Sequence, residues 1–558
     1  MIFEATFPRS LDALLARIDM GTVEAWTFDD RESRRAAEAA FADKGVPARI
    51  RSAYKPLLHF FLEDVASGLT AATIAYPRHE AAVHNRFLLE TYPLAALLPG
   101  VDLRFTAGEG QDYEVALTWP DRTEIHRVAA PNRLHVDAVG ETLLSPTGRL
   151  IHGGTTSRLE TEYEALFEAT IGAIAGHDWG EEPYFEELHI AVTLPLRDEP
   201  LPCGDEVVSL REAMHEDLYF SLLEVFQRRS GRPLGDRGLQ PGQIVPDVRF
   251  GETASVRVQL RPLDRNDHSA PVQPLDTATA PLSVEQIGNI LDLAGGSAFT
   301  AKTRAGRMVQ ARHLTGGGAP IMVSAGQHAN ETTGIVGALR AGIRLARQGA
   351  SFTLSPLENP DGYALHQRLI APNPRHMHHA ARYTALGDDL EYRESLNEKA
   401  IRLQAEALSG ARLHVNLHGY PAHEWTRPLS GYVPRGFAMW TVPKGFFLIM
   451  RHHAGHEAEA HALIDAVTAH LATFPELIAF NERQIALYET HAGETGYTMV
   501  NGFPCLIGED DRHAVPLTLI TEYPDETVYG DAFVAGHSAQ METVLAAYAA
   551  WQASGLAS

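Results

Sequence analysis

The second half of the chain alternates short apolar runs with amphipathic stretches, and that alternation constrains the fold more than any other feature. The runs are IMVSAG (321–326), SFTLSPL (351–357), LHVNLH (413–418), FFLIM (446–450) and LTLITEY (517–523). Helical spacing fills the intervals over Thr332–Arg347, Ser395–Leu408, His456–Thr473 and Ala539–Ala553. Strands alternating with helices predict an α/β fold, a mixed and largely parallel sheet flanked by helices.

The first half reads differently. Leu11, Leu14, Leu15 and Ile18 recur at helical spacing, so residues 1 to about 100 are expected to be helical. Residues 101 to 155 change period: VDLRFTA, YEVALTW and EIHRVAA alternate apolar and polar residues as half-buried strands do. Helices return from 156 to 230, with Tyr163, Leu166, Phe167 and Ile171 on one face and a strand at 188–196 between them. Residues 230–247 read as a loop and 248–263 as a hairpin. The run DRNDHSAPVQPLDTATAP that follows is the best linker in the chain. Ser283 and Gln286 then form a capping-box pattern. The expected organisation is a separate α+β N-terminal domain, 1–275, and a second domain, 282–558.

A chain of 558 residues is too long for one core. Its net charge of −24 argues against nucleic acid or an anionic membrane as partner. Two cysteines, Cys203 and Cys505, exclude a disulfide framework and fit a reducing, cytoplasmic setting. No signal peptide is expected from the N-terminal sequence. No apolar run approaches the ~18 residues of a membrane span.

Chemistry-bearing residues gather where the apolar runs stop. His328 and Glu331 follow the Gly326 turn, just before the helix at Thr332. His418 ends LHVNLH, sharing one strand face with His414 and Asn416. Glu522 falls at the end of LTLITEY, where burial would raise its pKa into the range of a general base. Two histidines and a carboxylate with an open fourth position form a catalytic zinc set. Taken singly, each motif also fits an ordinary structural part: a surface pair, a core histidine, a rim carboxylate. Asn-Pro-Asp-Gly at 359–362 is strong turn chemistry. His376, His378 and His379 read as a solvated loop, and His423 and Glu424 as lying outside the site. In the first half, His215-Glu216 and the loop GDRGLQPGQIVPDVR either face the cleft or serve packing, and packing is the expectation.

Together, GQHANE, NPDGY, NLHGYP and LITEYP resemble the zinc metallocarboxypeptidases, in that family's order, over about residues 282–545. GQHANE is also similar to the zinc motif of the aspartoacylase and succinylglutamate-desuccinylase relatives. The resemblance implies one zinc ion per chain, held by His328, Glu331 and His418, with Glu522 as general base. It implies a substrate-capping role for Tyr497 and an oxyanion-stabilising role for Arg375 or Arg368. It places Arg393, Tyr420 and Asn359 in substrate binding. One departure stands out. Where the family carries an Asn-Arg carboxylate clamp, this chain has Glu391 and Tyr392, with Arg393 one place off. A carboxylate there would repel a free C-terminus. The implied function is zinc-dependent hydrolysis of an amide or peptide bond. The alternatives are a deacylase of small N-acyl or modified amino acids, and a zinc-free binding module on the same fold. Expected partners are a peptide or small amide, with self-association left open.

Overall fold

The computed structural model describes residues 1–393, 396–437 and 440–553. The second half builds one nine-stranded sheet. Its order is Ser297–Lys302, Met308–Leu314, Ala350–Ser355, Gly317–Ala325, Leu413–Pro421, Leu517–Glu526, Phe447–His452, Phe503–Glu509 and Thr498–Val500. The four central strands, from Ala350–Ser355 to Leu517–Glu526, run parallel. Most of the flanking pairings are antiparallel, so the sheet is mixed, and parallel chiefly at its centre. Leu413–Pro421 and Leu517–Glu526 are buried along their whole length, as central strands covered on both faces must be.

Two long helices, Thr332–Arg347 and Asp531–Ala553, cross one face of this sheet. They approach closely because residue 337 is glycine: a Cβ there would stand 2.5 Å from Gln540 Cβ and 3.1 Å from the His537 carbonyl oxygen. Gln540 uses that proximity to reach the sheet. Its amide donates to the His418 carbonyl (2.8 Å) and accepts from the Thr521 hydroxyl (2.6 Å).

The first half is richer in strands than its leucine spacing suggests. Within the first hundred residues the helices Ser10–Arg17, Arg31–Asp43 and Pro56–Glu63 alternate with the strands Phe3–Phe7, Val23–Thr27, Ala48–Ser52 and Ala71–Tyr76. The expected helical region is therefore mixed, because five-residue strands leave little periodicity between strong helical segments. The strands expected from 101 to 130 are present as Asp102–Ala107, Tyr113–Thr118 and Thr123–Val128. The expected hairpin at 248–263 is not one: Gln243–Phe250 and Ala254–Arg261 flank the strand Glu187–Leu194 on opposite sides, one parallel to it and one antiparallel. The first of them begins inside the expected 230–247 loop.

Three local expectations also change. Asn359 caps a helix, Pro360–Ile370, accepting from the Gly362 N–H at 2.9 Å, so Asn-Pro-Asp-Gly starts a helix where a plain turn was expected. Ser283 caps Val284–Leu293, but Gln286 turns away to bond Gln273, leaving the capping box half made. The helix expected from Ser395 begins at Ala400; Ser395 itself lies outside the described residues.

The chain passes from one apolar core to another near residue 275, and the first core also recruits residues from beyond that point. The apolar core of the first half takes in Leu365, Leu369, Met377, Trp425, Leu429, Tyr432 and Phe437 from two excursions of the second. The nine-stranded sheet has its own core around Val323, Leu339, Val415 and Leu519. Among the described residues no single helix is long and apolar enough to cross a membrane.

Candidate functional site

His328, Glu331 and His418 converge. One donor atom from each lies within 4.8 Å of the others, and all three residues are buried. His328 Nδ1 is 2.8 Å from Glu331 Oε1, His418 Nδ1 is 3.0 Å from Glu331 Oε2, and the two Nδ1 atoms are 3.1 Å apart. Local structure explains the meeting. Gly326, at φ +65°, ends its strand tightly against Leu357, where a Cβ would stand 2.9 Å from the leucine Cδ1. The turn delivers His328, and three residues on Glu331 stands at the N-cap position of the helix Thr332–Arg347. His418 arrives on the neighbouring parallel strand.

Polar partners fix each ligand candidate. His328 Nε2 faces Asp389 Oδ2 at 3.5 Å, a partner that holds an imidazole in one orientation for a metal. The His418 backbone N–H donates to Thr521 Oγ1 at 3.0 Å, which fixes the strand end that carries this ligand. Burial raises the Glu331 carboxyl, but His328, Arg382 and His418 outweigh it and hold the group well below the usual range. Glu331 Oε2 is buried and faces His418 Nδ1 at 3.0 Å. Two imidazoles and an ionised carboxylate converging on the same point suit a divalent ion of borderline softness.

Glu522 stands beside this group. It is the direct register partner of His418 across parallel strands, which places the two Cα atoms about 4.8 Å apart with side chains on one face. Glu522, His328 and His418 line one cavity of about 110 Å³. Burial, then the charge of Glu331, push the Glu522 carboxyl well above its ordinary range. Arg382 and Lys444 pull it back. Lys444 is buried over the Trp440 ring (4.7 Å to the centroid), and burial lowers its ammonium to about 7 against the charge of Glu522. A nearby cation favours the ionised carboxylate, so removing it should raise the Glu522 pKa further. Lys444→Met is therefore expected to move the acidic limb of the kcat/KM–pH profile to higher pH, checked by rate measurements between pH 5 and 9.

The arginines sort differently from the sequence expectation. Arg375 is a surface residue, its side chain 62% exposed and paired with Asp205 at 2.7 Å. Arg368 pairs with Glu187 at 3.0 Å. Neither reaches the cavity wall, where Arg382 stands instead. Its guanidinium is 2.7 Å from Glu331 Oε1 and 3.9 Å from Glu526 Oε1. If Arg382 stabilises the developing oxyanion, Arg382→Gln at saturating zinc should lower kcat about 10²–10³-fold, measured by steady-state kinetics.

The remaining candidates are also redistributed. Arg393 is fully buried, bonded to Asp388 and Glu398, and does not face the cavity. Asn359 is occupied as the helix cap and with the Tyr383 carbonyl (3.1 Å). Tyr420 is on the cavity wall, its hydroxyl donating to the Gly445 carbonyl at 2.6 Å. Tyr497 packs against Phe447, its hydroxyl buried and without a hydrogen bond among the described residues. Burial, then the charge of Glu522, raise that hydroxyl's pKa. Tyr497 is close to the site but off the cavity wall. Glu391 lines the cavity, yet its charge is answered by Arg451 (2.7 Å), His513 (2.9 Å) and Arg402 (3.3 Å). The expected repulsion of a carboxylate is muted by those three groups.

The histidine cluster expected in solvent is buried; His378 bonds the Asn373 carbonyl at 3.1 Å, and the other two find partners in the first half. His379, on the cavity wall, bonds Glu216 at 2.5 Å, and His376 bonds Asp198 at 2.9 Å. His423 and Glu424 are buried too, His423 on Glu212 (2.8 Å) and Glu424 on Lys55. Further along, Arg427 meets Glu224 at 2.8 Å, and Asp217 accepts the Leu429 and Ser430 N–H groups. The segment 422–437, which carries Phe437 to the cavity, is thus pinned to the first half by buried charge. The loop expected to serve packing contributes Arg237 directly to the cavity wall.

No family model and no curated protein matches this sequence. Solved structures similar to it include a metallo-carboxypeptidase from Burkholderia cenocepacia, at 15% identity and TM-score 0.30, over 54% of this chain and 76% of that one. A metallo-carboxypeptidase from Pseudomonas aeruginosa is similar at 16% identity and TM-score 0.28, over 48% and 68%. Carboxypeptidase A from Helicoverpa armigera is similar at 9% identity and TM-score 0.32, over 56% and 90%. Similarity at this level assigns no activity to the chain.

Proposed function

We propose that this protein is a zinc-dependent hydrolase that cleaves an amide bond in a small substrate or at a chain end. The observation that carries the reading is the convergence of His328, Glu331 and His418 with Glu522 on the adjacent strand, all within reach of one small cavity. His328, Glu331 and His418 would hold the ion. When bound, zinc supplies Lewis-acid polarisation and an acidified water.

The chain's own groups do the rest. Glu522, its carboxyl raised above the ordinary range by burial, takes the proton of the attacking water and passes it to the leaving nitrogen. Arg382 donates to the oxyanion as it forms. Asp389 and Gln540 keep His328 and His418 in place. Trp440, Tyr420 and Phe437 line the cavity and limit the water around the reacting bond.

The test is a panel of N-acyl amino acids, N-acyl dipeptides and their carboxamides, offered to chelator-treated and zinc-reloaded protein. Hydrolysis that appears only after reloading is the expected result. Absence of hydrolysis across the panel in zinc-replete protein would contradict the proposal, and zinc content far below one per chain would favour a binding module.

A further inference from the structure

A four-stranded sheet in the first half carries a cavity of about 280 Å³, none of whose residues lines the candidate metal cavity. Its strands, in order, are Thr155–Leu159, Gly148–His152, Val23–Thr27 and Ala48–Ser52. Alternation along each strand gives the sheet two unlike faces. Val23, Ala25, Ile50 and Leu150 join an apolar core with Leu14 and Phe41. The other face bears Trp26, with Arg51 as its register partner on one neighbouring strand and Arg149 on the other. Both guanidiniums reach over the indole, each 5.5 Å from the ring centroid. The helix Pro56–Glu63 and the strand Thr123–Val128 supply the facing wall.

Five arginines line this cavity against four carboxylates, in a chain whose net charge is −24. Glu63, the most buried of the four, is answered several times over, by Arg34 (2.6 Å), His59 (2.9 Å), and Arg31 and Arg35 (3.5 Å each). Arg49, Arg51 and Arg127 pair with Asp64, Glu24 and Asp112, while Arg149 has no ion pair among the described residues. The group that decides the ligand is uncharged. Trp26 is only 4% exposed, and its indole N–H has no acceptor among the described residues. Buried donors are normally satisfied, because an unmade hydrogen bond there carries the full cost of desolvation. An indole N–H and the guanidiniums beside it can only donate, so what completes the row is an acceptor, and an anionic one. One arginine fork serves a planar carboxylate. Donors from two neighbouring strands, with an indole N–H between them, suit the several oxygens of a phosphate. Phe60, Val128 and Ile151 add an apolar wall beside them.

We propose that this cavity binds a phosphate monoester of a small organic group, with Arg51 and Arg149 holding the phosphate and Trp26 donating from between them. The site shares no residue with the candidate metal centre and stands whether or not the chain hydrolyses amides. The acidic balance of the whole chain repels long polyanions, whereas a walled cavity with its own cations selects a single charged group.

The experiment is calorimetry on the metal-stripped full chain with phenyl phosphate, benzoate and phenol, three probes that share a ring and differ in the group it carries. Wild type should bind phenyl phosphate at least about tenfold more tightly than benzoate or phenol, and inorganic phosphate should displace it. Arg149→Gln and Arg51→Gln should each weaken phenyl phosphate at least about tenfold. Arg149→Lys should lose less, and Trp26→Phe should lose part of the affinity. Arg122→Gln removes an exposed arginine of the same half that is not on the cavity wall, and should bind as wild type does. Replacing Arg149 breaks no ion pair, so its variants keep the test decisive even where Arg51→Gln fails to fold. No binding of phenyl phosphate, benzoate or phenol binding as tightly, an equal loss in Arg122→Gln, or affinity that survives Arg149→Gln would overturn the proposal.

Discussion

Glu522→Gln should lower kcat by about 10²–10⁴-fold while zinc content and KM stay close to wild type. The amide keeps the shape of the carboxyl between the His418 and Phe447 strands but cannot accept a proton. Glu522 is also outside the convergent group that would hold the ion, so its replacement should not release metal. Kinetics and metal analysis on the same preparation check both halves. A variant that retains wild-type turnover removes Glu522 as the base. One that loses zinc along with activity makes Glu522 a ligand.

The second large effect concerns the ligands themselves. His418→Ala should abolish stoichiometric zinc binding and, with it, measurable turnover. His376→Gln, at a side chain that bonds Asp198 and Ser209 away from the group, should keep one zinc per chain. Zinc at 100 times its Kd stabilises a protein by about 2.7 kcal/mol when only the folded state binds it. Thermal unfolding with and without zinc should therefore show stabilisation in wild type and in His376→Gln, and none in His418→Ala. Equal stabilisation in all three would place the zinc elsewhere.

Much of the site could be read along the chain because its key residues sit at the ends of conspicuous apolar runs. Leu413–Pro421 and Leu517–Glu526 are fully buried strands, and residues at their carboxyl ends fall where open α/β sheets collect ligands. The arginines gave no such signal. Arg368, Arg375 and Arg382 share one stretch, and what separates them is which carboxylate captures each: Glu187, Asp205 or Glu331. Two of those carboxylates come from the first half, nearly two hundred residues away. Arg393 was claimed in the same manner by Asp388 and Glu398.

The role of the first half was hidden for a related reason. Its contribution is made of long-range contacts such as Lys55 with Glu424, Glu216 with His379 and Glu224 with Arg427. None has a local pattern, and buried ion pairs of this sort are visible only once the elements meet. They also make the histidines after Asn373 part of the interior, whereas their polarity alone suggested solvent. Arg237 belongs to the same class: an ordinary loop residue in sequence, and a cavity residue once Phe437 and Tyr392 are brought beneath it.

X-ray absorption at the zinc edge of the reloaded full-length protein tests the metal centre most directly. Two imidazole nitrogens with oxygen donors, at about 2.0–2.2 Å, are expected, falling to one imidazole or to no bound zinc in His418→Ala. A shell of oxygen alone, or a spectrum unchanged by that substitution, would contradict it.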